Sequence, residues 1–236
     1  MTQTHSATQT NGAPRYDMYM AIHKALRAFM NDTLDVLGCM DVDDAGEIAA
    51  ALAQLRELLH ICDKHLQKEN QFVHPAMEQR QPGSTAQIAN EHIEHERDIE
   101  QLHRAIENFE TSCEALRRER ALNLYREIAL FVAHNFEHMQ REEVEHNAVL
   151  WSVYSDAELI EIENTLKASI PLQEMAIIAR WMLCANDHAF RVAMLSGVRA
   201  HAPREVFEML LGLARAHLSA RDWQKLANTL ELPLVA

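Results

Sequence analysis

Apolar residues recur in steps of four and three along four long stretches of the chain, the spacing that lines one face of a helix. The last of these carries Leu124, Ile128, Phe131, Asn135, His138, Glu142, Glu145 and Val149 on one stripe. The first runs from Arg15 to about Leu37, with Met18 or Tyr19, Ile22, Leu26, Phe29 or Met30, and Thr33 facing inward and His23 beside Ile22 at the edge. The second, from Glu47, places Leu55, Leu58 or Leu59, Cys62, His65 or Leu66, Glu69, and Phe72 or Val73 on one face. The third aligns Ile88, His92, His95, Ile99, Leu102, Ile106 and Phe109. Turn residues over Gly38–Gly46 and Gln79–Thr85 separate the first three, and the turn into the fourth falls between Thr111 and Arg120 without a Gly or Pro to mark it. Four long amphipathic helices joined by short loops predict an all-α, antiparallel four-helix bundle over residues 15–152.

Beyond Trp151 the helices shorten. Ser155 with Glu158 reads as a capping box, Pro171 and Pro203 suit helix starts, Asn186 or Asp187 caps another helix, and Ser219 with Asp222 caps the last. Residues 153–236 are therefore expected to form a smaller C-terminal helical module. His188, His201 and His217 are isolated within it. Residues 1–14, MTQTHSATQTNGAP, lack the basic start and apolar core of a signal peptide and read as a disordered leader.

Composition narrows the function classes. With six Gly, six Pro and 6% aromatics in 236 residues, the chain suits helices. A formal net charge of −13 offers no basic footprint for nucleic acid and none for an anionic membrane surface. No apolar run approaches the roughly 20 residues that span a bilayer. Cys39, Cys62, Cys113 and Cys184 make no C-x-x-C pair and read as reduced thiols of a cytoplasmic protein.

The chemistry sits where the apolar stripes are interrupted. His65 and Glu69 stand one helical turn apart on the second helix, His138 and Glu142 repeat that spacing on the fourth, His92 and His95 replace aliphatic seam residues on the third, and the first offers His23. Burying imidazoles and carboxylates demands compensation, by mutual hydrogen bonding or by a metal. Imidazole and carboxylate without thiolate suit iron, manganese or zinc, and the number of donors is enough for two ions, which favours a dinuclear iron site over a single zinc.

The segments HLQKENQFVHP and HMQREEVEHNAVLW, with NEH at Asn90–His92 and IHKALR at Ile22–Arg27, resemble the motifs of the hemerythrin-like, or HHE cation-binding, family over about residues 15–151. The resemblance implies a four-helix bundle holding a non-haem di-iron centre, with His23, His65, His92 and His138 as nitrogen ligands and Glu69 and Glu142 as bridging carboxylates. It differs from the oxygen-carrying hemerythrins, whose third helix has His-x-x-x-His and whose fourth has His-x-x-x-x-Asp. His95, or His134 one turn before His138, is the candidate for the fifth nitrogen.

Around that set, Glu91 and Glu96 are candidate partners for imidazole N–H groups. Cys62 is either a redox-sensitive neighbour or, more simply, a small core residue. Tyr16 and Tyr19 could donate to a bound diatomic or cap the bundle end. His60, His74, His103 and His146 lie off the inferred seams or near helix ends and are expected to face solvent.

The expected function is a di-iron protein that binds or senses O2, NO or peroxide, or handles iron itself, with manganese or zinc as substitutes. The competing readings are a di-iron enzyme reducing peroxide or oxygen or repairing iron–sulfur clusters, and a metal-free helical interaction protein. No partner of the C-terminal helices is legible.

Overall fold

The structure is a computed structural model and describes residues 14–232. The leader read over residues 1–14 lies outside them, Pro14 excepted. Every regular element described is helical.

The bundle is built from α1 (Met20–Cys39), α2 (Ala45–Lys68), α4 (Ala86–Glu110) and α5 (Glu114–Arg141). Neighbours in the ring are α1 with α2 and α5, and α4 with α2 and α5. Their inner faces carry the apolar core expected from the stripes: Leu26, Phe29 and Met30 from α1, Leu55, Leu58 and Leu59 from α2, Leu102 and Ile106 from α4, Leu124, Ile128 and Phe131 from α5. Asp44 starts α2 by accepting from the backbone N–H groups of Gly46 and Glu47. Gly38 lets α1 approach α5 closely: a Cβ there would stand 3.0 Å from the Tyr125 ring, which would have to give by a few tenths of an ångström.

Two of the four helices are not regular. After Lys68 the chain makes one wide π turn, π1 (Glu69–Val73), before continuing as α3 (His74–Arg80). After Arg141 it does the same through π2 (Glu142–His146) into α6 (Asn147–Val153). Each wide turn lodges an extra residue in the ladder and shifts the phase of everything after it. The stripe expected through Glu145 and Val149 therefore fails at its end: Glu145 is exposed, and His146 and Leu150 are buried in its place. His74 and Met77 are likewise buried after π1.

The C-terminal helices are α7 (Asp156–Ala168), α8 (Leu172–Ala185), α9 (His188–His201), α10 (Arg204–His217) and α11 (Ala220–Thr229). Ser155 and Glu158 form the capping box, Asp187 caps α9 and Ser219 caps α11. Helix α8 packs along α1, with Trp181 stacked on Phe29 at 4.4 Å between ring centroids. Asn186 Nδ2 donates to the Ala21 carbonyl at 3.0 Å. Helix α7 packs against π1. Helices α8–α11 close a second apolar core around Leu183, Leu195, Leu210 and Leu226. No described helix is long and apolar enough to cross a membrane.

Candidate metal centre

The polar interruptions of the four stripes meet at one level of the bundle. His23 of α1, His65 of α2, Glu69 at the head of π1, His92 of α4, His138 of α5 and Glu142 at the head of π2 converge, and all but His65 are buried to 2% exposure or less. His65 keeps 15% of its side chain exposed.

Their atoms fall into two overlapping groups. In one, His23, His65, Glu69 and Glu142 each place a ligand atom within 4.8 Å of the others; in the other, Glu69, His92, His138 and Glu142 do so. Glu69 spans both: Oε1 lies 3.2 Å from His65 Nε2, and Oε2 lies 3.5 Å from His92 Nε2. Glu142 spans them too, with Oε2 3.5 Å from His23 Nε2 and 3.4 Å from His138 Nε2, and Oε1 3.7 Å from His92 Nε2. Each group thus holds two imidazoles and shares both carboxylates.

These atoms have no other employment. Both oxygens of Glu69, both of Glu142, and Nε2 of His92 and His138 are buried without a hydrogen-bond partner. Six orphaned atoms facing one another would be costly in an apolar bundle, roughly 1–3 kcal/mol apiece, so the donor set fits cations placed between them.

The outward ring nitrogens are fixed by neighbours. His23 Nδ1 meets Glu143 Oε1 at 3.1 Å, His92 Nδ1 meets Asn70 Oδ1 at 2.8 Å, and His138 Nδ1 meets Glu91 Oε2 at 3.0 Å. With an acceptor on Nδ1, the proton resides there and Nε2 presents its lone pair inward, the arrangement of a metal-binding histidine. Two of these carboxylates are neutralised in turn, Glu143 by Arg27 at 2.5 Å and Glu91 by Arg141. Asn70 and Glu143 each directly follow a shared carboxylate, so one π turn supplies both a ligand oxygen and the acceptor that orients a histidine on another helix.

Titration follows burial. Burial, and then the neighbouring Glu142, pushes Glu69 up to about 8, and burial also holds Glu142 well above the usual carboxyl range. Burial lowers His92 to about 4, and it lowers His65 and His138 as well, with neighbouring imidazoles adding to it. Burial works downward on His23 too, but hydrogen bonds to Glu143 and Glu69 outweigh it and leave that ring raised. A cation replaces the protons the two carboxylates would otherwise keep.

The remaining expectations divide. Glu91 holds His138 as expected, whereas Glu96 is exposed and touches none of the ligand histidines. His95 is buried, its ring 4.7 Å from that of His138, but it accepts from Asn135 Nδ2 at 3.4 Å and belongs to neither group. His134 is not a ligand: its side chain is 57% exposed and faces Asp98 at 3.6 Å. At 3.6 residues per turn it sits about a quarter turn from Asn135 and Glu142, on the flank of the seam. Cys62 is a core residue packed among apolar side chains, its thiol pushed up to about 12 by burial. Tyr19 does reach the site, its hydroxyl 3.1 Å from His146 Nδ1 and its ring 5.1 Å from that of His23, while Tyr16 donates to Glu163 at 2.5 Å.

His60 and His103 are exposed as expected, but His74 and His146 are not. π1 turns His74 inward, His146 stands one turn after Glu142, and the two join Glu142 as a third cluster of ligand atoms. Asn70, Glu143 and His74 are hidden from helical periodicity, whereas His146 has the i to i+4 spacing from Glu142 that competes with Glu145 for the seam. The available signal was the repeated order His-x-x-x-Glu, polar residue, His in both segments, not the phase of the stripe.

The sequence model described as "Hemerythrin HHE cation binding domain" matches residues 15–146, which include every residue of the two groups. Searches of curated proteins and of solved structures returned no match. With a bundle of the expected kind, a His/Glu cluster at its centre and more than half its length matched, this chain belongs to the hemerythrin HHE cation-binding family.

Proposed function

We propose that this protein holds two iron ions in the bundle and uses them to bind or sense a small diatomic ligand, O2 or NO, or peroxide. The observation that carries this is the sharing of both Glu69 and Glu142 between two histidine pairs. A mononuclear site needs only one such pair, and two shared carboxylates are what a dinuclear centre requires. An all-nitrogen-and-oxygen donor set without thiolate suits iron. Iron, when bound, supplies a redox couple and coordination positions that the protein leaves open.

The residues around the site fit a small apolar guest. A cavity of about 120 Å³ lies between the bundle and helices α7 and α8, lined largely by apolar groups that include Met18, Ile22, Val73, Met175 and Ile178, and it reaches His65 and Glu69. Lys64, Lys68 and Lys167 also border it. Such a path admits a diatomic more readily than a sugar or nucleotide, and its apolar walls limit water at the carboxylates. The C-terminal helices complete one wall of the cavity, which favours a role in shaping access to the site. A cytoplasmic setting agrees with four unpaired cysteines, Cys39, Cys62, Cys113 and Cys184.

Metal content of protein purified without chelator, with absorption spectra under argon and then air or NO, tests the reading. Two irons per chain and a ligand-dependent visible spectrum are expected. One ion per chain, or a spectrum indifferent to every gas and to peroxide, would sink it.

A further inference from the structure

We infer that His74, His146 and Glu142 form a third cation site, adjoining the dinuclear pair at the end of the bundle where the π turns lie. This rests on the dinuclear reading, because Glu142 belongs to both.

The site is built, not incidental. His74 and His146 come from different helices, are 6% and 2% exposed, and stand with ring centroids 5.5 Å apart, edge to face. Their Nε2 atoms have no hydrogen-bond partner, and with a Glu142 oxygen they form a cluster whose ligand atoms all lie within 4.8 Å. Two inward, unpartnered imidazole nitrogens beside an unpartnered carboxylate repeat the chemistry of the two principal groups. His146 Nδ1 meets Tyr19 Oη at 3.1 Å, and a phenol oxygen can accept from Nδ1–H and so leave Nε2 with its lone pair free, as Glu143, Asn70 and Glu91 do for the other histidines.

Placement of His74 depends on the wide turn before it. His74 follows Glu69 by five residues and lines up with it only where the ladder is i to i+5, which is the geometry of π1. A regular helix of the same length would turn His74 away from the Glu69 face, whereas His146, four residues after Glu142, stays on its carboxylate's side of the helix.

Three protein donors leave positions for solvent, and the one carboxylate is already shared, so a cation here meets the charge of its neighbours with little extra compensation. The third site is the weakest of the three, the last to fill and the first to empty. It suits a divalent ion that takes imidazole readily, such as Fe(II) or Zn(II).

Zn(II), which undergoes no oxidation, is the probe. Equilibrium dialysis of the metal-free full-length protein against Zn(II) should reach three equivalents, and the doubly substituted His74→Gln/His146→Gln protein should stop at two with the tight pair retained. His146→Gln alone should also lose the weakest equivalent, which keeps the test open if the double variant folds poorly. The exposed double variant His60→Gln/His103→Gln should still reach three. A wild type that saturates at two, or a third equivalent that survives loss of both imidazoles, overturns the third site and leaves the dinuclear reading standing. Saturation below two overturns both.

Discussion

Asn70 follows Glu69 by a single residue, yet its Oδ1 lies 2.8 Å from Nδ1 of His92 on another helix. The amide oxygen is an acceptor with no charge of its own, so it fixes the ring's tautomer without adding to the negative charge at the centre. Asn70→Ala should therefore weaken cation affinity by about 10–100-fold while the metal-free protein keeps its fold. Competition against a chromophoric chelator measures it. Unchanged affinity would mean that His92 is held by packing alone.

Glu69→Ala and Glu142→Ala should each reduce bound metal far more than His103→Ala, since each carboxylate serves both histidine pairs and His103 is exposed. Equal loss from all three variants would refute the placement of the seams. Metal analysis of the purified variants decides it.

The same carboxylates should have opposite effects on stability with and without metal. In metal-free protein Glu142 has two buried oxygens lacking partners, so Glu142→Gln should raise the stability of the empty bundle, by roughly 1–3 kcal/mol, and lower that of the loaded one. Paired thermal melts with chelator and with Zn(II) should cross in sign. Destabilisation in both conditions would contradict the orphaned geometry.

Acid should unfold the metal-free protein through its buried histidines. His92 and His95 are both lowered to about 4 by burial, and His138 is lowered too. Below pH 6.5 the unfolded chain takes up protons that the native rings refuse, so stability is full above 6.5 and falls as pH drops toward 4, by up to about tenfold in the folding constant per pH unit and per group. Glu69 runs the other way. Its carboxyl, pushed up to about 8, keeps a proton in the native state that the unfolded chain releases above about 4.5, so its contribution fades as pH rises through 8. Denaturant melts at several pH values, with chelator, should show both limbs, and bound metal should flatten the alkaline one.

Phe29 and Trp181 test whether the C-terminal helices stand apart from the bundle. The rings stack at 4.4 Å, and both belong to the bundle core. Trp181→Ala should cost about 3–5 kcal/mol and lower the melting of the whole chain, not of the C-terminal helices alone. An unaltered bundle transition in calorimetry would argue for two independent units.

Much of this was legible in the residues themselves. The four-three stripes located the bundle helices, the capping box at Ser155 and Glu158 was read correctly, and the two His-x-x-x-Glu pairs named the residues that converge. What escaped has one physical origin. Periodicity assumes 3.6 residues per turn, and both helices abandon it at the glutamates, so everything from His74 and from His146 onward is rotated relative to the expectation. His134 failed for a milder reason: a stripe of three-and-four steps has edges, and that residue stands on one of them, outside the packed face.

The wide turns also make the two ligand-bearing helices sensitive to length in a way that residue identity is not. Relaxing π1 to a standard ladder at unchanged length would swing His74 and Met77 by about 100° around the helix and leave His65 in place, whereas removing Gln71 would set His74 at i to i+4 from Glu69, on the same face of a regular helix. The extra residue and the wide turn are thus matched: each is tolerated only because the other is present. At the native length, the irregularity keeps the His74 imidazole turned toward a carboxylate that an unbroken helix would carry it past.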